Sequence, residues 1–151
     1  MKIIFRLLWH KAGSPSHKAF KSAAAYQLFS DYCERVVQFS DCEVSGISSK
    51  ETRGSGAKIW FCDRTSGSRV QNSEEIAQLI SKLQNSGTKS LEIVVGGPDG
   101  FLKSDYERWN PELRWSFGPF TLPHELASIV AAEQIYRAYT ILKKLPYHTA
   151  H

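Results

Sequence analysis

The residues with the most chemical potential lie in the last third of the chain, in three groups. Leu91 to Gly100 reads LEIVVGGPDG, an apolar run broken by two glycines, a proline, an aspartate and a third glycine. Trp115 to His124 reads WSFGPFTLPH, and the chain then runs through Glu133 and Arg137 to Tyr147 and His148. Glycine has no Cβ and adopts positive φ freely, so Gly96 and Gly97 at a strand end would let a ligand approach bare backbone. The loop lacks the G-x-G-x-x-G spacing of a dinucleotide fingerprint and the Lys-Ser/Thr pair of a P-loop. By itself GGPDG fits a ligand loop and a plain tight turn equally well. Phe117, Gly118, Pro119, Phe120, Thr121 and Leu122 offer two aromatics and a leucine that can enclose a flat heteroaromatic ring while backbone groups read its edge. Taken alone, the two phenylalanines fit an ordinary core as readily. Together the two loops describe a small-molecule pocket with the C-terminus as its lid.

Glu133 and Arg137 stand four apart, in the order that favours a helical salt bridge. Their apolar neighbours point to partial burial, where such a pair has a specific task or marks an interface. His148 is of the one residue type that changes charge near neutral pH, so it can move a proton, although a solvated tail histidine fits too. His148 and His151 have no cysteine or carboxylate pattern around them, and no metal site is expected. Cys33, Cys42 and Cys62 are an odd number with wide spacing, which offers neither a disulfide framework nor a zinc pattern.

Strand and helix signals alternate along the elements that must position these groups. Lys2 to Trp9 is an apolar, β-prone run ended by Gly13-Ser14-Pro15. The spacing of Phe20, Ala23, Ala24, Leu28, Tyr32 and Val36 predicts a helix over 17–37. Glu43 to Ile47 reads as a weak strand, Ser48 to Gly56 as a polar linker, and Lys58 to Cys62 as a short strand. Ser73 is the expected N-cap of a second helix, with Glu74 and Glu75 in its first turn. Leu91 to Val95 has the continuous apolar character of a strand buried on both faces. Ser104 to Trp109 reads as a short helix stopped by Asn110-Pro111. The last helix is expected from Leu122, with Thr121 as cap, and it is apolar around much of its circumference. One side would meet its own sheet and the other a second copy, so a homodimer is expected. This alternation argues an α/β fold with a mainly parallel sheet, whose ligands bind beyond the carboxyl ends of the strands.

The length of 151 residues fits a single domain spanning 1–151, with 42% hydrophobic and 23% charged residues. Nineteen Lys and Arg against fifteen Asp and Glu give a net charge of +4, which fits a polyanionic partner without identifying one. No apolar run approaches the roughly 20 residues that span a bilayer. Arg6 and His10 interrupt the opening run, which reads as a strand and not as a leader, so a cytoplasmic protein without a membrane partner is expected.

VVGGPDG, RWSFGPFTLPHEL, AAEQIYRAYTIL and PYH, in this order and spacing, resemble the bacterial RlmH family, the ribosomal RNA large subunit methyltransferases H of the SPOUT class. The close match covers about Leu91 to His148, and the N-terminal half agrees in layout: a strand beginning MKI, a long helix, then KIWFCD before a glycine-containing turn. The resemblance implies a single SPOUT domain with a C-terminal trefoil knot, a homodimer, and S-adenosyl-L-methionine bound in the knot. It implies methylation of N3 of a pseudouridine in the 23S large-subunit rRNA of assembled ribosomes. The methyl-donor positions fall on Cys62, Gly96 (with Gly97 beside it) and Phe117 to Leu122. Arg137, Tyr147 and His148 match the family's arginine and tail, the tail of one subunit completing the site of the other. Cys62 stands where the family usually has leucine, Ser48 to Ala57 is much shorter than the family's charged segment, and Thr149 replaces a frequent basic residue. Two other readings are a non-catalytic ribosome-binding protein on the same fold and a methyltransferase acting on another RNA, such as tRNA.

Overall fold

The computed structural model describes residues 1–149; His151 lies outside the described residues. Among these, six strands form one sheet: β1 (Lys2–Lys11), β2 (Cys42–Ile47), β3 (Ala57–Cys62), β4 (Arg69–Val70), β5 (Ser90–Val95) and β6 (Leu113–Ser116). Their order is β2-β1-β5-β3-β6-β4, and every pairing is parallel. The helices are α1 (Ala23–Val37), α2 (Ser73–Asn85), α3 (Lys103–Trp109) and α4 (His124–Leu142). The expected α/β class with a parallel sheet is the observed one.

Side chains alternate across the sheet. Ile3, Phe5, Leu7, Leu91, Ile93, Val95 and Trp60 point into the larger core, which α1, α2 and α4 cover. Ile59, Phe61 and Val94 point the other way, under Trp109 and Phe101. β5 is buried along Leu91–Val95 on both faces, as its continuous apolar run requires. Glu92 is the polar residue in that run, and it is 3% exposed. Arg6 of β1 answers it with Nε at 2.8 Å and Nη2 at 2.7 Å, and reaches Glu51 at 3.1 Å with Nη1. Burial works against the Arg6 charge, but Glu92 and Glu51 outweigh it and hold its pKa above the ordinary value.

Several boundaries differ from the sequence reading. The first long helix begins at Ala23, because Phe20 leaves a short 3-10 turn (Ser16–Ala19) in extended conformation and Ser22 caps α1 through Ala25 N. Asn72, not Ser73, caps α2: its side chain accepts from Glu75 N at 2.8 Å while Glu75 bonds Asn72 N at 2.7 Å. α4 starts at His124 behind Pro123, and no side chain caps it. The 48–56 stretch is not a free linker. Arg53 bonds Asn110 O, Ala57 O and Glu112, and Arg108 bonds Ser48 O and Ser49 O. α1 and α2 pack against much of both apolar flanks of α4. Leu126, on one of those flanks, stays 44% exposed.

Candidate active site

The carboxyl ends of β3, β5 and β6 open into one cavity of about 650 Å³. Cys62, Gly96 and Gly97 line one side, and Phe117, Gly118, Phe120, Thr121 and Leu122 line the other. Pro119 is not in the wall; its carbonyl accepts from Arg64 Nη1 at 3.0 Å, which holds the loop. Phe117 is set by edge-on packing against the buried Trp115, ring centroids 4.9 Å apart. Gly118 has φ +108°, a conformation side chains resist, and Ser116 Oγ accepts its N–H at 3.2 Å. Phe120 is 76% exposed at the mouth.

Gly96 and Gly97 serve space and not positive φ. A Cβ on Gly96 would lie 3.2 Å from Phe101 Cε2 and 3.4 Å from the Gly100 backbone; one on Gly97 would lie 3.2 Å from Trp9 Cβ. The turn closes through Gly100 N–H to Gly97 O at 2.9 Å, and Gly100 takes φ +71°. The strand exit thus leaves bare backbone facing the cavity.

Sequence reasoning gave no role to five polar residues in the wall: Asp63, Arg64, Thr65, Asp99 and His124. Asp63 closes the turn after β3, accepting from Thr65 N at 3.0 Å, Thr65 Oγ1 at 2.8 Å and the Tyr106 hydroxyl. Burial pushes the Asp63 carboxyl up, but the bonds from Tyr106 and Thr65 outweigh it and hold it below the usual range. Its position directly after a buried strand was the available signal. His124 packs edge-on against Trp9 at 4.5 Å. Burial, then the Asp63 charge, pushes the Cys62 thiol up, so Cys62 is a neutral wall residue.

Arg137, Tyr147 and His148 form a second cluster, away from this cavity. Glu133 Oε1 accepts Arg137 Nη2 at 2.6 Å, Arg137 Nε at 3.0 Å and the Tyr147 hydroxyl at 3.0 Å. The Arg137 guanidinium lies over the Tyr147 ring, 4.8 Å from its centroid. Arg137 Nη1 meets His148 Nδ1 at 3.2 Å, and His148 Nε2 meets Glu74 Oε1 at 2.8 Å. Burial opposes the Arg137 charge, yet Glu133 outweighs it and holds the guanidinium pKa above its ordinary value. Burial, with hydrogen bonds to Tyr32 and Glu133, pushes the Tyr147 phenol up. The bond to His148 holds the Glu74 carboxyl below its ordinary range. Ala127 of α4 lines the cavity. Arg137 follows ten residues along the same helix, about 15 Å away at 1.5 Å per residue. Among the described residues, no group of three or more His, Cys, Asp or Glu is placed to hold a metal ion, and no helix is long and apolar enough to cross a membrane.

A parallel sheet whose strand exits frame a glycine-lined cavity is the setting of a ligand-binding α/β enzyme. The profile of one protein family, described as "Predicted SPOUT methyltransferase", matches residues 17–148. The chain belongs to the SPOUT methyltransferase family and has its fold. Among its relatives is the ribosomal RNA large subunit methyltransferase H of Limosilactobacillus fermentum, 38% identical over 146 residues that cover 93% of this chain and 91% of the relative. Proteins of the same name from Koribacter versatilis and Magnetococcus marinus are 33% and 28% identical, over 87% and 95% of this chain and 92% and 98% of theirs.

Proposed function

We propose that this chain is an S-adenosyl-L-methionine-dependent methyltransferase of large-subunit ribosomal RNA, a single cytoplasmic domain with a C-terminal trefoil knot. In this reading it methylates N3 of a pseudouridine in assembled ribosomes, as a homodimer. The observation that carries the reading is the meeting of three strand exits at one cavity, in a chain of the SPOUT methyltransferase family. The cavity suits the donor. It has room for a nucleoside with a side chain, its aromatics can flank a flat ring, and its backbone groups at Gly96, Gly97 and Phe117–Leu122 are reachable because no Cβ fills the cradle at either glycine.

When bound, the donor supplies a methyl group already activated on a sulfonium sulfur. The protein's task is then to bind, align and exclude water. Gly96, Gly97, Gly118 and Thr121 would read the donor through their backbones, Phe117 and Leu122 would flank its ring, and Cys62 would fill the apolar wall. The base nitrogen must lose its proton before it can take the methyl group. His148 is the proton acceptor in this reading, and Arg137 stabilises the resulting anion. Reacting atoms must come within about 3.5 Å, whereas Arg137 lies about 15 Å along α4 from the cavity wall by helix rise. A tail delivered by a second copy removes this conflict, and it supports the dimer.

Calorimetric titration with S-adenosyl-L-methionine, then a labelled-methyl assay on ribosomes from cells lacking this chain, tests the proposal. Donor binding and one methyl group at N3 of a pseudouridine are expected, with ribosome affinity falling as salt rises. Donor binding without transfer would refute the enzyme and favour a ribosome-binding role; transfer to tRNA alone would refute the substrate.

A further inference from the structure

Arg137 and His148 hold out one hydrogen-bond donor and one acceptor side by side. A guanidinium can only donate, so its Nη1–H makes His148 Nδ1 the acceptor at 3.2 Å. The imidazole proton must then sit on Nε2, where it donates to Glu74 Oε1 at 2.8 Å. In this arrangement the tautomer is fixed from both sides, and both nitrogens are engaged. The charged and titratable groups around it are Arg137 and Glu133 of α4, Tyr147 of the tail and Glu74 of α2.

The imide edge of a uracil-type base carries the complementary set, a carbonyl oxygen beside an N–H. We infer that Arg137 Nη1–H and His148 Nδ1 read that edge, and that Glu74 is the positioning residue that keeps His148 in the Nε2–H tautomer while they do so. This rests on the rRNA methyltransferase reading above. The base enters between the two groups and replaces their mutual hydrogen bond: its carbonyl accepts from Nη1, and its N–H donates to Nδ1. Arg137 stays anchored to Glu133 through Nε and Nη2, so only the Nη1 bond changes hands. The N–H bond would then break, the proton bonding to Nδ1 and the electron pair staying on the base nitrogen. That pair would form the bond to the methyl carbon as the carbon–sulfur bond of the bound donor broke, its pair passing to sulfur and leaving a neutral thioether. His148 becomes an imidazolium facing the Glu74 carboxylate. Once Arg137 has turned to the base, Glu74 alone holds the tautomer. A cytosine has no proton at the corresponding nitrogen and would leave Nδ1 without a donor.

The test combines a spectrum with a rate. Long-range ¹⁵N NMR of the wild-type protein above neutral pH is expected to show His148 protonated on Nε2 and bare on Nδ1. Glu74→Ala is expected to lose that single tautomer and to lower the single-turnover rate on unmethylated ribosomes about tenfold at saturating donor, with donor affinity unchanged. Glu74→Gln, whose amide oxygen accepts the same proton, is expected to recover most of the rate. An Nδ1–H tautomer in the wild type, a Glu74→Ala rate within about twofold of wild type, or a Glu74→Gln as slow as Glu74→Ala would overturn the inference. A wild-type protein that binds no donor or methylates no ribosome would overturn the function it rests on, and the imide-reading role with it.

Discussion

Separation of the cavity from the Arg137–His148 cluster leads to a sharp test with two inactive variants. Gly96→Val is expected to crowd the cavity wall: its Cβ alone would sit 3.2 Å from Phe101 Cε2, and Phe101 is stacked on Phe61 at 4.2 Å. Such overpacking costs about 1–3 kcal/mol, and since Phe101 and Gly100 both line the cavity, it is expected to disturb the donor's site. His148→Ala leaves the cavity wall untouched, since His148 does not line it. Each homodimer should be inactive, the first without donor binding and the second with normal donor binding. The two variants are then co-expressed with different tags and the heterodimer is purified through both. If the tail acts on the partner's cavity, the His148→Ala chain contributes an intact cavity and the Gly96→Val chain contributes an intact tail. One of the two symmetry-related sites is then complete, and single-turnover methylation should reach about half the wild-type amplitude. If cavity and tail act within one chain, no chain holds both parts and the heterodimer should be as inert as its parents. An inert heterodimer that still binds donor at one site per dimer would refute delivery in trans.

Other outcomes follow from the packing. Arg6→Met strands Glu92, which is 3% exposed, so it should cost about 3–5 kcal/mol in urea unfolding, and the double variant Arg6→Met, Glu92→Leu should recover most of that. Asn72→Ala removes the capping box of α2 and should cost about 1 kcal/mol by the same measurement. Tyr106→Phe removes a hydrogen bond that holds the Asp63 carboxyl low. A depressed folded pKa contributes stability above the unfolded value and loses it as pH falls through the folded one. The wild type should therefore melt above Tyr106→Phe at neutral pH, and the gap should narrow as pH falls below about 4.

Much of this architecture was legible because burial writes itself into composition. Leu91–Val95 is apolar on both faces, and it is the central strand beside β1 and β3. The Gly96–Gly97 and Phe117–Leu122 loops were legible as a pair because glycines at a strand exit and clustered aromatics imply a shared cavity. β6 was not, since its four residues alternate apolar with polar and include Arg114 and Ser116. Asn72 and Ser73 are both good caps, and only the reciprocal bond from Glu75 separates them. The polar 48–56 stretch read as linker because its fixing comes from Arg6, Arg108, Asn110 and Glu112, partners far from it in sequence. Separation of Arg137 from the cavity was invisible for a different reason: it depends on how far along α4 each contact falls.

In the proposed reaction two imidazoles are candidates to take the proton of the base, and their surroundings differ. His124 has the convenient address, in the cavity wall. It is also the first residue of α4, and its ring is packed on Trp9 with Glu125 no nearer than 4.0 Å. His148 has the poor address and the better surroundings. A carboxylate stands 2.8 Å from Nε2, and the nearby Arg137 charge is already matched by Glu133. In the proposed reaction these contacts favour His148 as the acceptor, and because His148 does not line the cavity of its own chain, that role and delivery by a second subunit stand or fall together.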